Sequence, residues 1–265
     1  MSLIYEPKGR AREYAALAVN VYSGCSHGCV YCYVPQMPWG NREEHNAPKL
    51  RKTFSIDKLA REAAKLQAQG VTGRVLLCFT TDPYQDLEVE HHLTRQTVQV
   101  LHRHGFTVQI LTKNPLRAWE LDRDIYGAND AIAATLTCIS PARSRLWEPG
   151  APTPGERYDG LYAFSKIGVQ TWASLEPVLV PLHSLYIIED THQYVSHYKI
   201  GRINYVDKLP ALYQADVSNR DWVKFTSDVL ALLTRLGYEE IADPATARRG
   251  TFYLKESLRK YRKVA

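Results

Sequence analysis

Three cysteines lie within eight residues: Cys25, Cys29 and Cys32 follow one another with the spacing C-x3-C-x2-C. Thiolates at this spacing can hold three irons of an iron–sulfur cube and leave the fourth iron without a protein ligand. An iron with an open position can bind a substrate or a cofactor, whereas a cluster with four protein ligands mostly transfers electrons. Gly24 and Gly28 give the loop the backbone freedom to wrap around an inorganic group. The triplet therefore predicts an open-site cluster.

Other uses of the triplet stay open at this point. A structural zinc ion takes four tetrahedral ligands, and His27 could be the fourth, although its closeness to its neighbours would strain such a site. A disulfide would use two of the cysteines and leave one unpaired, and disulfides are uncommon in reducing compartments. A non-catalytic iron–sulfur or zinc module would need a distant ligand such as Cys78, Cys138 or another histidine.

The segments around the triplet resemble those of a known family. Residues 20–33 are similar to the cluster loop of radical S-adenosylmethionine (radical SAM) enzymes, and most of all to their spore-photoproduct-lyase-like branch. Further matches follow in the family's order at residues 80–85, 93–95 and 111–114, with weaker ones to about Asn204. The resemblance implies an α/β fold, a partial (β/α)6 TIM-type barrel with parallel strands, and two cofactors, a [4Fe-4S] cluster and S-adenosyl-L-methionine.

The resemblance also implies a reaction. The enzyme would use its reduced cluster to cleave S-adenosylmethionine to methionine and a 5′-deoxyadenosyl radical, which would abstract hydrogen from an unassigned substrate. An electron donor such as a flavodoxin or a ferredoxin would then be a partner. The protein supplies orientation and excludes water, while the cofactors carry the chemistry.

Strand and helix patterns alternate along the chain, which predicts a parallel sheet covered by helices. Six strand–helix units are predicted, fewer than the eight of a closed barrel. The 265 residues suit one domain, with a core at about 15–205 and C-terminal helices at about 220–265 packed on it. The segment 141–160, rich in Pro and Gly, predicts a stiff connector or a lid. The basic tail 251–265 predicts a solvated helix.

Strands are predicted at 17–21, 74–79, 106–111, 131–137, 169–175 and 197–203. Helices are predicted at 56–66, 93–105, 115–121, 155–168, 182–188 and 222–236. In parallel α/β folds, ligands collect at the carboxyl ends of the strands. The informative motifs follow successive predicted strands: the cysteine loop, then Thr81 and Asp82, Lys113, Thr137 and Cys138, Glu176, and Lys199 to Asn204. We therefore expect these residues to meet at one mouth of the barrel.

The resemblance assigns roles to matching positions of this sequence. Thr135 and Thr137 are two positions apart in a strand, so both face the same side and could reach the ribose. Glu176 is a further candidate at the cofactor. The remaining cofactor contacts are implied as follows: Tyr31 packs on the adenine, Thr81 and Asp82 bind the methionine amino group, and Lys113 contacts the methionine carboxylate or the ribose.

Two residues are candidates for moving hydrogen or radicals. Tyr33 matches a tyrosine that lyases of this family use in a radical relay. Those lyases carry their hydrogen-donor cysteine at the position that Phe79 occupies here. Cys78 is one residue earlier, and a one-residue shift in a strand predicts that it packs between sheet and helix. Cys138 is an alternative donor, and thymine-dimer reversal is not expected.

The net charge of +5 is compatible with an anionic partner without requiring one. A nucleic-acid lesion lyase, or another DNA-repair enzyme of the photoproduct lyase type, is an alternative function. In that case the basic tail and the residues Arg143, Arg145 and Trp147 could contact phosphates and bases. No apolar run approaches the length that spans a membrane, and no signal peptide is visible. We therefore expect a cytoplasmic protein without a membrane partner.

Overall fold

The computed structural model describes residues 2–262. The strands are β1 (Leu17–Val19), β2 (Tyr22–Ser23), β3 (Lys49–Leu50), β4 (Gly73–Leu77), β5 (Phe106–Thr112), β6 (Ala131–Thr135), β7 (Gln170–Val178), β8 (His197–Arg202), β9 (Glu239–Glu240) and β10 (Thr251–Leu254). The α-helices are α1 (Arg42–Asn46), α2 (Ile56–Ala68), α3 (Leu87–His91), α4 (Leu93–Arg103), α5 (Pro115–Asp122), α6 (Pro141–Trp147), α7 (Pro154–Lys166), α8 (Pro181–Thr191), α9 (Ala211–Ser218), α10 (Trp222–Arg235) and α11 (Glu256–Arg259). Short 3-10 helices lie at Gly9–Glu13, Val34–Gln36, Arg123–Ile125, Val206–Lys208 and Pro244–Thr246.

An eight-stranded sheet forms the centre of the fold, with the order β1-β4-β5-β6-β7-β8-β10-β9. Every pairing in it is parallel, and β2 with β3 forms a separate antiparallel pair. The first six strands of this order are the six predicted from the sequence, and they lie side by side in chain order. The predicted helices are also confirmed, as α2, α4, α5, α7, α8 and α10. The chain therefore folds as a partial (β/α)6 barrel, as predicted.

The strands are apolar because both faces of the sheet are covered, as is usual for a parallel sheet under helices. All five residues of β6 are buried. Ala131 and Ala133 pack inside the barrel with Trp172, whereas Ile132 and Ala134 belong to the larger core under the helices. This alternation is the two-residue period of a strand. Among residues 2–262, none of the helices combines the length and apolar character needed to cross a bilayer.

The structure corrects the prediction for the tail. Residues 251–254 form the buried strand β10, which lies between β8 and β9, with Phe252 opposite Tyr198. Only residues 256–259 are helical, and Lys263 lies outside the described residues. The run Thr-Phe-Tyr-Leu has strand propensity, but it is too short to outweigh the basic residues that follow it in a reading of the sequence.

Most of the segment 141–160 is helical, so it is not a stiff connector, whereas its use as a lid stays a prediction. Pro141 and Pro154 occupy first positions of α6 and α7, where a missing backbone N–H costs nothing. Thr153 caps α7 and forms a capping box with Glu156. The prolines that suggested a connector therefore mark helix starts.

We expect Phe252→Ala to lower the free energy of unfolding by about 3–5 kcal/mol, because the ring is 2% exposed and its loss leaves a cavity in the core. Urea unfolding followed by circular dichroism measures the change. Lys260→Ala, which alters a residue outside the helices and strands of the same tail, serves as the control. Equal effects of the two substitutions would contradict the placement of β10 in the sheet.

Candidate functional site

A cavity of about 530 Å³ opens at the carboxyl ends of the barrel strands. Sequence-predicted residues that line it are Cys25, Cys29, Tyr31, Cys32, Tyr33, Thr81, Asp82, Lys113, Thr135 and Glu176. The cysteine loop belongs to the β1 side of the sheet, whereas Glu176 lies in β7 near the other end of the strand order. We call the wall formed by Cys25, Cys29 and Cys32 the cysteine side of the cavity, and the wall at Glu176 the far side. Thr137 and Cys138 are not among the lining residues.

The cysteine loop has a shape that could hold a cluster. The three cysteines are free thiols, with Cys29 buried and Cys25 and Cys32 half-buried at the cavity wall. Gly24 and Gly28 have φ angles of +79° and +60°, which side chains other than glycine's rarely adopt. Within residues 2–262, no three Cys, His, Asp or Glu side chains converge on a single-ion position. The thiols of this loop at the cavity wall form a ligand set that fits an iron–sulfur cluster.

Burial controls the chemistry of the thiols before a metal binds. Burial raises the pKa of Cys29 to about 12, and it also raises the pKa values of Cys25 and Cys32. The carboxylate of Asp82 raises the pKa of Cys25 further. Thiolates are the metal ligands, so cluster binding must displace these protons.

Residues of the Thr-Asp-Pro segment hold the cysteine loop. The Thr81 hydroxyl donates to the carbonyl of Gly24 at 2.6 Å, and the Gln85 amide donates to the same carbonyl at 3.2 Å. The Gln85 side-chain oxygen accepts from the Ser26 backbone at 3.1 Å. In this structure Thr81 therefore acts on the loop backbone. Gln85 was part of the recognised motif, but sequence reasoning gave it no role.

Helix α1 holds the loop from another direction. The Arg42 guanidinium donates to the carbonyls of Cys29 at 2.8 Å and Val30 at 3.2 Å. The backbone N–H of Cys25 donates to the carbonyl of His45 at 2.7 Å, and Nε2 of His45 lies 3.5 Å from Sγ of Cys32. Sequence reasoning missed both Arg42 and His45.

Asp82 joins the ends of two neighbouring strands. Its Oδ1 accepts from the Tyr84 backbone at 2.9 Å and from the Thr112 hydroxyl at 2.6 Å. Its Oδ2 accepts from the Lys113 backbone at 2.7 Å and lies 3.4 Å from Nδ1 of His27. Both carboxylate oxygens thus already have partners within the protein, and they fix the start of the Lys113 segment against the cysteine loop.

A buried carboxylate that sequence reasoning missed connects two predicted site residues. Glu148 is fully buried, and it accepts a hydrogen bond from the Tyr31 hydroxyl and lies 3.7 Å from the Lys113 ammonium. Arg157 pairs with it at 2.6 Å, and the Thr137 hydroxyl donates to it at 3.1 Å. Thr137 therefore supports the site from behind the cavity wall. No local pattern marks Glu148, because its partners are distant in sequence.

Two cations flank one carboxylate in this network. Burial by itself would raise the pKa of Glu148, but the cations of Arg157 and Lys113 lower it to about 2. Burial would lower the pKa of Lys113, but Cys29 and Glu148 raise it above its ordinary value. The Lys113 ammonium also lies 5.4 Å from the centroid of the Tyr31 ring. One ionised carboxylate thereby places an aromatic ring and a cation side by side at the cavity.

The far side of the cavity carries a second polar network. Glu176 accepts from the Tyr14 hydroxyl, from the Lys255 ammonium at 2.6 Å and from the Asn204 amide at 3.3 Å. The guanidinium of Arg10 donates to the Asn204 side-chain oxygen at 2.5 Å. Lys255 is 4% exposed and lines the cavity. It therefore does not belong to a solvated basic helix as the sequence suggested.

Lys199, another residue near a strand end, lies inside the barrel. Its ammonium donates to the carbonyls of Glu13 at 3.0 Å and Tyr14 at 3.2 Å. It also lies 4.9 Å and 5.1 Å from the ring centroids of Tyr14 and Trp172. Burial and the neighbouring Lys255 lower the pKa of Lys199 to about 7. Lys199 thus fastens the segment before β1 to the interior of the barrel.

The hydrogen-transfer candidates occupy different places. Tyr33 is 38% exposed at the cavity, and its hydroxyl donates to the Phe79 carbonyl at 3.0 Å. Cys138 is buried away from the lining, with its thiol 3.8 Å from the carbonyl of Ser140. Cys78 is buried in the core under the helices, as predicted, and it also lines the cavity. Strand β4 ends at residue 77, so strand alternation does not determine where Cys78 points.

Part of the chain matches a known protein family. A profile of the protein family described as "Radical SAM superfamily" matches residues 19–195. Uncharacterized proteins of Mycobacterium tuberculosis and Mycobacterium bovis are 29% identical over 171 residues, covering 62% of this chain and 50% of each relative. The chain therefore spans about half the length of the curated relatives it matches.

Solved structures with the same fold include two other proteins. A spore photoproduct lyase variant with a dinucleoside spore photoproduct superposes with a TM-score of 0.66 at 10% identity, covering 95% of this chain and 79% of that chain. SuiB of Streptococcus suis bound to S-adenosylmethionine gives a TM-score of 0.61 at 10% identity, covering 90% and 50%. At such identities the similarity shows a shared fold.

We expect Glu148→Gln to lower the free energy of unfolding by about 3–5 kcal/mol, because it leaves the buried guanidinium of Arg157 without a charged partner. Urea unfolding at neutral pH measures this loss. The pKa of Glu148 is about 2 in the folded protein against an ordinary 4.5. Its ionised form therefore stabilises above pH 4.5, and the difference from the variant should shrink as pH falls toward 2.

The matched control for this substitution is Glu239→Gln, which alters an exposed ion pair with Arg248. An exposed pair contributes about 0–1 kcal/mol, so the control should unfold almost like the unaltered protein. The double variant Glu148→Leu with Arg157→Met should recover part of the lost stability, because no buried charge of this pair remains. A loss with Glu148→Gln no greater than that of the control would contradict the network.

We expect Gly24→Ala to reduce the iron and sulfide bound per chain after anaerobic reconstitution. The added Cβ would lie 2.7 Å from the His45 carbonyl oxygen, and the loop would have to move. Gly70→Ala is the matched control, because Gly70 has a similar φ of +74° but no heavy atom within 4 Å of the added Cβ. Equal iron content in the two variants would show that the close approach at Gly24 does not shape the loop.

Proposed function

Because the chain belongs to the radical SAM superfamily, we propose that it is an enzyme that cleaves S-adenosylmethionine reductively and uses the resulting 5′-deoxyadenosyl radical on an unassigned substrate. The observation that carries this proposal is the position of Cys25, Cys29 and Cys32 on the wall of the barrel-mouth cavity. A thiolate triplet at the carboxyl ends of parallel strands lies where such folds bind ligands.

In this proposal the three cysteines hold a [4Fe-4S] cluster. When bound and reduced, the cluster supplies the electron that breaks a carbon–sulfur bond of S-adenosylmethionine. The protein holds the cysteine loop rigidly, since hydrogen bonds reach its backbone from Thr81, Gln85 and Arg42. Such a loop would hold a bound cluster at the cavity wall.

The cofactor contacts follow from the polar groups on the cysteine side. The Tyr31 ring and the Lys113 ammonium lie next to each other at the cavity, and they suit an adenine face and a carboxylate or ribose oxygen. Thr135 lines the same cavity and is our candidate for the ribose. Asp82 orients the Lys113 segment through its backbone, which supports a positioning role beside any contact with the methionine amino group.

The substrate, in turn, is proposed to bind toward the far side. Glu176 and Lys255 present an acceptor and a donor there, and Tyr33 lies at the rim with its hydroxyl bonded to the Phe79 carbonyl. We therefore propose that Glu176 contacts the substrate and not the cofactor. Tyr33 remains the candidate for a radical relay, whereas Cys138 would need a rearrangement of the wall to reach the cavity.

A nucleic-acid lesion lyase is less well supported as a second function. Trp147 is fully buried against Tyr213, and the guanidinium of Arg143 pairs with Asp216. Trp147 is therefore not presented to bases, and the Arg143 guanidinium already has a carboxylate partner. Reduction of the cluster requires an electron donor, and a flavodoxin or a ferredoxin is the proposed partner class.

Product analysis tests the proposed function. Full-length protein reconstituted anaerobically with iron and sulfide, reduced with dithionite and given S-adenosylmethionine should release 5′-deoxyadenosine, measured by liquid chromatography. Cys29→Ala should release none above background, because one corner of the cluster loses its ligand. The electron paramagnetic resonance signal of the loaded cluster should change when S-adenosylmethionine is added. A fully loaded cluster that neither changes its signal nor forms 5′-deoxyadenosine would overturn the proposal and favour a non-catalytic module.

A further inference from the structure

We propose that His45 donates a hydrogen bond to the thiolate of Cys32 and thereby raises the reduction potential of the cluster. The inference rests on the proposed function, since it requires the cluster to be bound by this loop. Nε2 of His45 lies 3.5 Å from Sγ of Cys32, and both residues line the cavity. A hydrogen bond to a cluster sulfur is one of the means by which a protein sets a cluster's potential.

The direction of this hydrogen bond follows from the chemistry of the sulfur. A cysteine that ligates iron is a thiolate, which accepts hydrogen bonds and has no proton to donate. Nε2 of His45 must then carry the hydrogen that points at Cys32. Both the neutral tautomer protonated at Nε2 and the imidazolium meet this requirement, so the contact does not depend on one protonation state.

Several hydrogen bonds position the helix that carries His45. Helix α1 begins after Asn41, whose side chain accepts from the Glu44 backbone at 3.0 Å. Arg42 of the same helix donates to the carbonyl of Cys29 at 2.8 Å. The His45 carbonyl itself accepts from the Cys25 backbone at 2.7 Å. His45 therefore contacts the triplet through its backbone and its ring.

Reduction adds negative charge that the cluster shares with its sulfur ligands. An N–H aimed at one of these sulfurs stabilises the reduced state more than the oxidised state, so it raises the potential. Backbone hydrogen bonds involving His27 and Val34 also act on the thiols of Cys25 and Cys32. These remain in any side-chain variant. Among the side chains of residues 2–262, that of His45 forms the hydrogen bond with a sulfur of the triplet.

The test compares midpoint potentials of reconstituted full-length variants, measured by redox titration monitored by electron paramagnetic resonance at one pH. His45→Phe keeps a flat ring but lacks the donor, so its potential should be more negative than that of the unaltered protein. His45→Gln keeps an N–H and should lie between the two. His104→Phe makes the same change at a half-buried histidine whose partner is Gln67, and it should leave the potential unchanged. Equal potentials for His45→Phe and His104→Phe would overturn the proposal.

A second measurement needs no variant and serves if His45→Phe fails to load a cluster. Protein whose histidines carry ¹⁵N in the imidazole ring alone should show a weak ring-nitrogen coupling to the reduced cluster in pulsed electron paramagnetic resonance, since this label leaves the His27 backbone nitrogen silent. Absence of any coupling, or a strong coupling typical of nitrogen bound to iron, would overturn the hydrogen bond. The outcome is separable from the proposed function, because a loaded cluster can be titrated even if S-adenosylmethionine is not cleaved.

Discussion

The ionised carboxylate of Glu148, enclosed without access to water, is the interaction on which the cysteine side of the site depends. Burying this charge is costly unless it is paired and fully hydrogen-bonded. Arg157 pairs with it from α7, and Lys113 follows the end of β5. Pairing this one charge therefore fixes the spacing between α7, the end of β5 and the end of α6, where Glu148 is the C-cap residue. The Tyr31 ring takes its place at the cavity because its hydroxyl completes the same set of bonds.

The six strands could be predicted because each is a short, buried, apolar run, and because strand and helix periods alternate between them. Strand β10 could not, since its four residues precede a basic stretch and pair with β8 across more than fifty positions of sequence. The prediction of a stiff connector at residues 141–160 was wrong for a different reason. Proline there marks first turns of helices, and composition does not distinguish that use from a connector.

The candidate site was predictable to the extent that it is built from strand ends. The cysteines, Lys113, Thr135 and Glu176 all lie where parallel topology collects side chains. Glu148, Arg42 and His45 were missed because they act through contacts between separate segments, for which a single sequence carries no signal. A buried carboxylate reads in sequence like a solvated one. The physical distinction lies in its partners, and the partners are known only once the chain is folded.

The position of Lys255 has a consequence for synthesis on the ribosome. This wall residue follows Cys25 by about 230 positions, although both line one cavity. At a translation rate of about 5–20 residues per second, the cysteine loop leaves the ribosome roughly 10–50 s before Lys255 does. Iron delivered during translation would therefore reach the cysteine loop before Lys255 has joined the cavity wall. The cavity wall that includes Lys255 is complete only after β10 has joined the sheet.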